Sequence, residues 1–166
     1  MIPSLFIAAS GRQVCAVQRL QQSIRSAAPS VQIFDWTEMK QPCPVTSPLL
    51  RRRDDSDALG SQFFSFCSDA CKSADLVVCY GHVGQEIGIQ AGMAYALGTP
   101  VLGIRDQQEV PGPMMAGCIT RWADGEDVVP GLVAQLAGCW QDIESFVPLG
   151  KCRRCNLRDI CQFYNL

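Results

Sequence analysis

Short apolar runs alternate with longer helical stretches along this chain, and that alternation restricts the fold more than any other feature. Ser4 to Ala9 (Ser-Leu-Phe-Ile-Ala-Ala) is apolar and too short for a helix, so it reads as a buried strand. Arg12 to Ala27 follows with Val14, Val17, Leu20 and Ile24 at helical spacing, and Pro29 stops it. Val31 to Trp36, Asp75 to Tyr80 and Pro100 to Ile104 repeat the strand pattern, and Cys118 to Trp122 predicts a short fifth strand. Helices are expected over Asp57 to Lys72, Val83 to Leu97 and Glu126 to Trp140. Strands separated by helices pair in parallel through crossovers. Strands apolar on both faces belong in a sheet covered on both sides. The expected fold is an open, doubly wound α/β domain with a mostly parallel, five-stranded sheet of flavodoxin or Rossmann type.

The length of 166 residues fits one such domain. It spans residues 1–147, and the break at Pro148-Leu149-Gly150 opens a short Cys-rich appendage over 148–166. Hydrophobic residues make up 48% and charged residues 18%, enough for a packed core. Fourteen basic against sixteen acidic side chains leave a net charge of −2, so no global basic field points to nucleic acid. No apolar run approaches the roughly 18 to 20 residues of a membrane span. Met1-Ile2-Pro3-Ser4-Leu5 lacks the basic start and cleavage site of a signal peptide, which predicts a cytoplasmic protein. Met39 to Asp55 holds Pro42, Pro44 and Pro48 and closes on Arg51-Arg52-Arg53. It has no period and reads as a long loop, either a lid or a plain surface connection.

Ligands of this architecture sit beyond the carboxyl ends of the strands. That places three segments at the expected site: Ser10 to Arg12, Asp35 to Glu38, and Gly81 to Gln90. At Ser10-Gly11-Arg12, helix N-terminal amides and a guanidinium can hold a phosphate, or Ser10 is simply an N-cap. Asp35 and Trp36 offer a carboxylate for ring donors and an indole face for a base, or else a capping Asp beside a core Trp. His82 is the sole histidine and follows a strand end, where it serves as acid or base or as an ordinary loop residue.

The third segment is the most informative. Gly84, Gly88 and Gly92 recur every four residues and line one stripe of a helix. Each glycine costs a helix roughly 1 kcal/mol relative to alanine. Three on one stripe imply a strand packed unusually close, or a ligand against the backbone near Gly81 and Gly84 at the helix start. Glu86 and Gln90, also four apart, lie on a different face and can present a carboxylate and an amide to one ligand.

Gln90-Ala91-Gly92-Met93-Ala94-Tyr95-Ala96-Leu97-Gly98-Thr99-Pro100-Val101, preceded by Ser73-Ala74-Asp75-Leu76-Val77-Val78, resembles the nucleoside 2-deoxyribosyltransferase family. Leu5 to Ala9 resembles that family's first strand, and Gly117 to Trp122 with the helix after it fits the last strand–helix pair. The resemblance runs over about residues 4–140 and is carried chiefly by 73–101. It implies chemistry at the N-glycosidic bond of a nucleoside or nucleotide, and a homo-oligomer with sites shared between subunits. The chain departs from the family at two carboxylates. The family's nucleophilic Glu aligns with Gln90, and an amide cannot form the sugar ester that a carboxylate forms. The second acid aligns near Gly84. The resemblance then leaves Glu86 as nucleophile or electrostatic partner of an oxocarbenium-like centre, Gln90 to orient the sugar, and His82 to handle the leaving base. Two other readings stand beside it. One is a nucleotide-binding or redox-sensing module without catalysis. The other is an enzyme whose metal cluster acts on a ligand that the fold holds.

Ten cysteines in 166 residues is high, and three crowd the C-terminal end as Cys152-x2-Cys155-x5-Cys161. In a reducing compartment that crowding reads as ligation before disulfides. Three thiolates need a fourth ligand, and Cys139 is nearest in sequence, with Cys118, Cys43 and His82 as alternatives. The spacing resembles the C-terminal cluster staple of RecB-type iron–sulfur nucleases, which implies a 4Fe–4S cluster, zinc being the alternative. The nuclease's acidic motif is not recognisable, so the resemblance carries the cluster and not the activity. Arg153, Arg154 and Arg158 would offset thiolate charge around either metal.

Overall fold

The computed structural model describes residues 3–39, 53–81, 84–105 and 112–142. Five strands alternate with helices: β1 (Ser4–Ala8), α1 (Val14–Ala27), β2 (Gln32–Phe34), α2 (Arg53–Ser73), β3 (Leu76–Cys79), α3 (Gln85–Leu97), β4 (Val101–Ile104), α4 (Pro113–Cys118), β5 (Arg121–Ala123) and α5 (Val129–Asp142). All pair in parallel in the order β2-β1-β3-β4-β5, so the sheet is wholly rather than mostly parallel. Helices α1 and α5 pack together over one face, and α2, α3 and α4 cover the other.

The central strands are buried along their whole length because both faces are covered. Phe6, Ile7, Val77, Val78, Val101 and Leu102 are excluded from water, and each such side chain contributes roughly 1.5–3 kcal/mol of burial. On α1, Val17, Leu20 and Ile24 face the sheet at the spacing the sequence predicts. Ser4 and Asp75 stitch the amino-terminal edge: the Ser4 N–H and hydroxyl both donate to Asp75 Oδ2, at 3.0 and 2.8 Å. That edge lies opposite the candidate site, so Asp75 holds β1 to β3.

The structure moves several boundaries: β2 ends at Phe34, so Asp35 and Trp36 follow the strand, and α5 begins at Val129, so Glu126 lies in the turn before it. Gly11–Gln13 is a separate 3-10 turn, and the α-helix begins only at Val14. Helix α2 starts at Arg53, so the long loop ends before the third arginine of the charge run. Cys118 does not open a strand; it closes α4, and β5 begins at Arg121. Gly112 as N-cap and Pro113 at the first turn start that short helix, where the missing proline N–H costs nothing.

Candidate functional site

In this strand order the connections reverse direction between β1 and β3, and their carboxyl ends frame a crevice. Two of the expected segments meet there. The chain leaving β1 turns at Ser10, whose hydroxyl accepts from the Arg12 N–H at 3.4 Å while the Gln13 side chain accepts from the Ser10 N–H, a reciprocal cap. The chain leaving β3 passes through Gly81 at φ +82°, and a Cβ there would lie 1.8 Å from Gln13 Nε2. Glycine is therefore favoured at 81 by the left-handed backbone, and any side chain there would also have to displace the Gln13 amide. Gly11 and Arg12 are exposed beside this junction.

Helix α3 starts at the same edge. Gly84 is its N-cap, and no side chain caps it. Glu86 is in the first turn, exposed, where the helix dipole favours a carboxylate. Among the described residues its side chain has no hydrogen bond or ion pair. Ile87, Gln90, Ala91 and Ala94 form the buried face. Gln90 is 7% exposed, and its Oε1 has no partner among the described residues. Its backbone carbonyl accepts weakly from the Cys71 thiol at 3.8 Å.

No described residue packs against the glycine stripe. A Cβ at Gly84, Gly88 or Gly92 would meet nothing within 4 Å, while the close approach to the sheet is made by Ala91 and Ala94. Of the two causes the sequence allowed, close packing is excluded among the described residues. What remains, among the described residues, is room for an added methyl at each of the three positions down α3 from its N-terminus.

The β2 end behaves differently. The Asp35 side chain is 15% exposed and accepts from the Thr37 hydroxyl (2.6 Å), the Thr37 N–H (3.0 Å), Gln21 (3.1 Å) and Arg25 (3.1 Å). Burial alone would raise this carboxyl, but those four hydrogen bonds outweigh it and hold the group below its ordinary 3.8. Trp36 is 1% exposed, donates from Nε1 to the Ile7 carbonyl at 2.7 Å, and meets Phe63 edge to face at 5.8 Å. The reading of Trp36 as a stacking platform is thus corrected: the indole sits in the core, where no face is free for a base.

Sequence reasoning missed a polar pair at this edge. Tyr80, immediately after β3, donates its phenol proton to Glu126 Oε2 in the turn before α5. Burial first, and then the Glu126 carboxylate, push the phenol up to about 12, while Arg19 on α1 pulls the other way. The phenol stays protonated and remains a donor. The signal that existed was positional: a tyrosine at a strand's carboxyl end and an acidic turn, Asp124-Gly125-Glu126-Asp127, before a helix.

His82 lies outside the described residues, as do Cys152, Cys155 and Cys161. Cys139 falls in the last turn of α5, with its side chain outside the description. Among the described residues no group of three His, Cys, Asp or Glu side chains is placed to hold a metal. Cys67 and Cys71 on α2 are buried, and desolvation raises their thiols to about 12 and about 11, which keeps them neutral core groups. Among the described residues no helix is long and apolar enough to cross a membrane.

No protein-family model matches the chain, and no curated protein matches it in sequence. Solved structures do share its fold. A conserved protein from Enterococcus faecalis V583 superposes with a TM-score of 0.58 at 15% identity, over 81% of this chain and 99% of its own. The CMP N-glycosidase BcmB of Clostridium botulinum superposes with a TM-score of 0.53 at 17% identity, over 80% of this chain and 98% of its own. The chain has the three-layer α/β fold of these two proteins.

Proposed function

We propose that the chain binds a nucleoside or nucleotide over the β1–β3 crevice and cleaves its N-glycosidic bond, as the deoxyribosyltransferase-like superfamily does. The observation that carries this is Glu86: a carboxylate in the first turn of α3, at the carboxyl edge that frames the crevice, exposed and without a partner among the described residues. The N-glycosidase neighbour supports it through a shared fold alone. As the C1′–N bond breaks, the electron pair leaves with the base and positive charge grows at C1′. Glu86 stabilises that charge or captures C1′ as an ester, which water then hydrolyses. The departing base takes a proton, and His82, next after Gly81 in sequence, is the group we assign to supply it. Gln90 cannot form the ester, and its Oε1, which has no partner among the described residues, is assigned to a sugar hydroxyl. Ser10, Gly11 and Arg12 hold a 5′-phosphate if the substrate has one.

One observation favours a second reading, binding without turnover. The position where the family resemblance expects the nucleophile is an amide on the buried face of α3. Base release from a panel of nucleosides and 5′-nucleotides, followed by chromatography, separates the two. Turnover that falls at least about a hundredfold in Glu86→Gln supports the first. Binding without release in the wild type supports the second.

The proposal extends to the tail. Cys152, Cys155 and Cys161, with Cys139, are assigned to a 4Fe–4S cluster, with zinc as the alternative, on their spacing alone. Iron, sulfide and zinc contents of protein purified without oxygen decide it. A homo-oligomer is also proposed: Phe64, Ile89 and Met114 are exposed on the layer of α2, α3 and α4. Light scattering tests it.

A further inference from the structure

The turn after β5 reaches back across the sheet. Asp124 pairs with Arg105 at the end of β4, at 3.5 Å, and Glu126 accepts a hydrogen bond from the Tyr80 hydroxyl at the end of β3. Asp127 folds over Gly125, where a Cβ would lie 2.5 Å from its Oδ1. An edge strand's turn thereby reaches over the ends of β4 and β3, and it brings an exposed carboxylate against Tyr80, the residue that follows β3. Tyr80 holds Oε2 of that carboxylate and orients it, and among the described residues Oε1 accepts no hydrogen bond, so Oε1 and the second lone pair of Oε2 remain as acceptors. The only cation paired with the turn among the described residues, Arg105, is taken by Asp124.

We infer that Glu126, oriented by Tyr80, accepts hydrogen bonds from the 2′- and 3′-hydroxyls of a ribose, so that the site takes ribonucleotides in preference to 2′-deoxyribonucleotides. This rests on the proposed nucleotide site and names its sugar. Two adjacent hydroxyls match the spacing of a carboxylate's acceptor positions, and acidic side chains at carboxyl ends of parallel strands read ribose hydroxyls in other α/β folds. Charge sets the polarity of the ligand. Asp124, Glu126 and Asp127 repel a phosphate, while Arg12 stands exposed at the exit of β1. The phosphate therefore points to the β1 side and the hydroxyls to the β3 side. Glu126 contacts the ligand in this reading, and Tyr80 is a positioning residue.

The test is calorimetric binding, with base release in parallel, of paired ribo- and 2′-deoxyribonucleoside 5′-monophosphates of the four common bases. For the wild type the ribo member of the best-bound pair should bind at least about tenfold tighter, the worth of a hydrogen bond to a charged acceptor. Glu126→Gln should bring that ratio close to one. Tyr80→Phe should lower it several-fold, and Glu126→Asp should fall between. A merely structural role would weaken both members equally and leave the ratio alone, and circular dichroism checks that each variant is folded. Equal wild-type binding of the two sugars overturns this inference while leaving the nucleotide site standing. So does a ratio that survives Glu126→Gln in folded protein. Failure of every nucleotide to bind overturns the nucleotide site and this inference with it.

Discussion

Two places along the sheet's carboxyl edge, the exit of the edge strand β2 and that of the central strand β3, use the same kinds of residue in opposite ways. At the β2 end, Asp35 accepts four hydrogen bonds from its own chain and the Trp36 indole is tied to the Ile7 carbonyl inside the core. At the β3–α3 exit, among the described residues, neither Glu86 nor Gln90 Oε1 has a partner, and a Cβ added at Gly84, Gly88 or Gly92 would meet nothing within 4 Å. Both regions carry an acid and a polar side chain past the end of a strand. What separates structure from function is whether those groups are already satisfied. A carboxylate held by four donors would lose them to bind a ligand, whereas a free one loses only water.

The largest expected effect is at Trp36. Trp36→Ala should cost about 3–5 kcal/mol in denaturant unfolding, because a wholly buried indole leaves a cavity and an unpaired carbonyl. Whatever protein remains folded should bind nucleotide as the wild type does. A small stability loss with a large binding loss would move Trp36 to the ligand side and erase the contrast.

Asp35→Asn comes next, at about 1–3 kcal/mol. Its carboxyl is held below the ordinary value in the folded chain, so the unfolded chain binds the proton more readily. The stabilisation is full above the ordinary carboxyl range and is lost as pH falls through the lowered value. The wild-type advantage over Asp35→Asn should therefore be constant near neutral pH and shrink on acidification below about pH 5. An advantage that persists into strong acid would show that the charge plays no part.

Gly81→Ala should destabilise by about 1–3 kcal/mol, since φ +82° is unfavourable for alanine and the added methyl displaces the Gln13 amide from the Ser10 cap. It also separates the two strand exits that frame the crevice, so nucleotide binding should fall with stability. At Asp35 the two should not move together.

The sequence and the structure agree best where the physics is local. Leu76 to Cys79, the alanines of α3, the left-handed Gly98 cap at φ 78° and Val101 to Ile104 follow one another with a period that the residues themselves display. They agree less where contacts span the chain. Tyr80 and Glu126 are 46 positions apart, and neither carries a local signal of the other. Trp36 follows a strand as a ligand-stacking aromatic would, and only the packing of Phe63 from α2 shows it to be core. The glycine stripe is intermediate. Its spacing was plain, but whether anything lies against it depends on neighbours that no helix period reveals.

That stripe gives the smallest effect and the sharpest division between the two regions. Gly88 is helical, its N–H bonds to the Gly84 carbonyl at 3.1 Å, and an added Cβ would meet nothing within 4 Å. Gly88→Ala should therefore stabilise the protein by about 0.5–1 kcal/mol, through helix propensity and a less free unfolded chain. If a ligand lies along the bare backbone, the same methyl occupies its ground, and nucleotide affinity should fall several-fold while stability rises. A gain in stability with unchanged binding would leave the stripe open but unused. A loss of stability would mean that another part of the chain, or a second copy of it, packs there. Only an opposed change in the two quantities marks a position kept as glycine for binding at the expense of the fold.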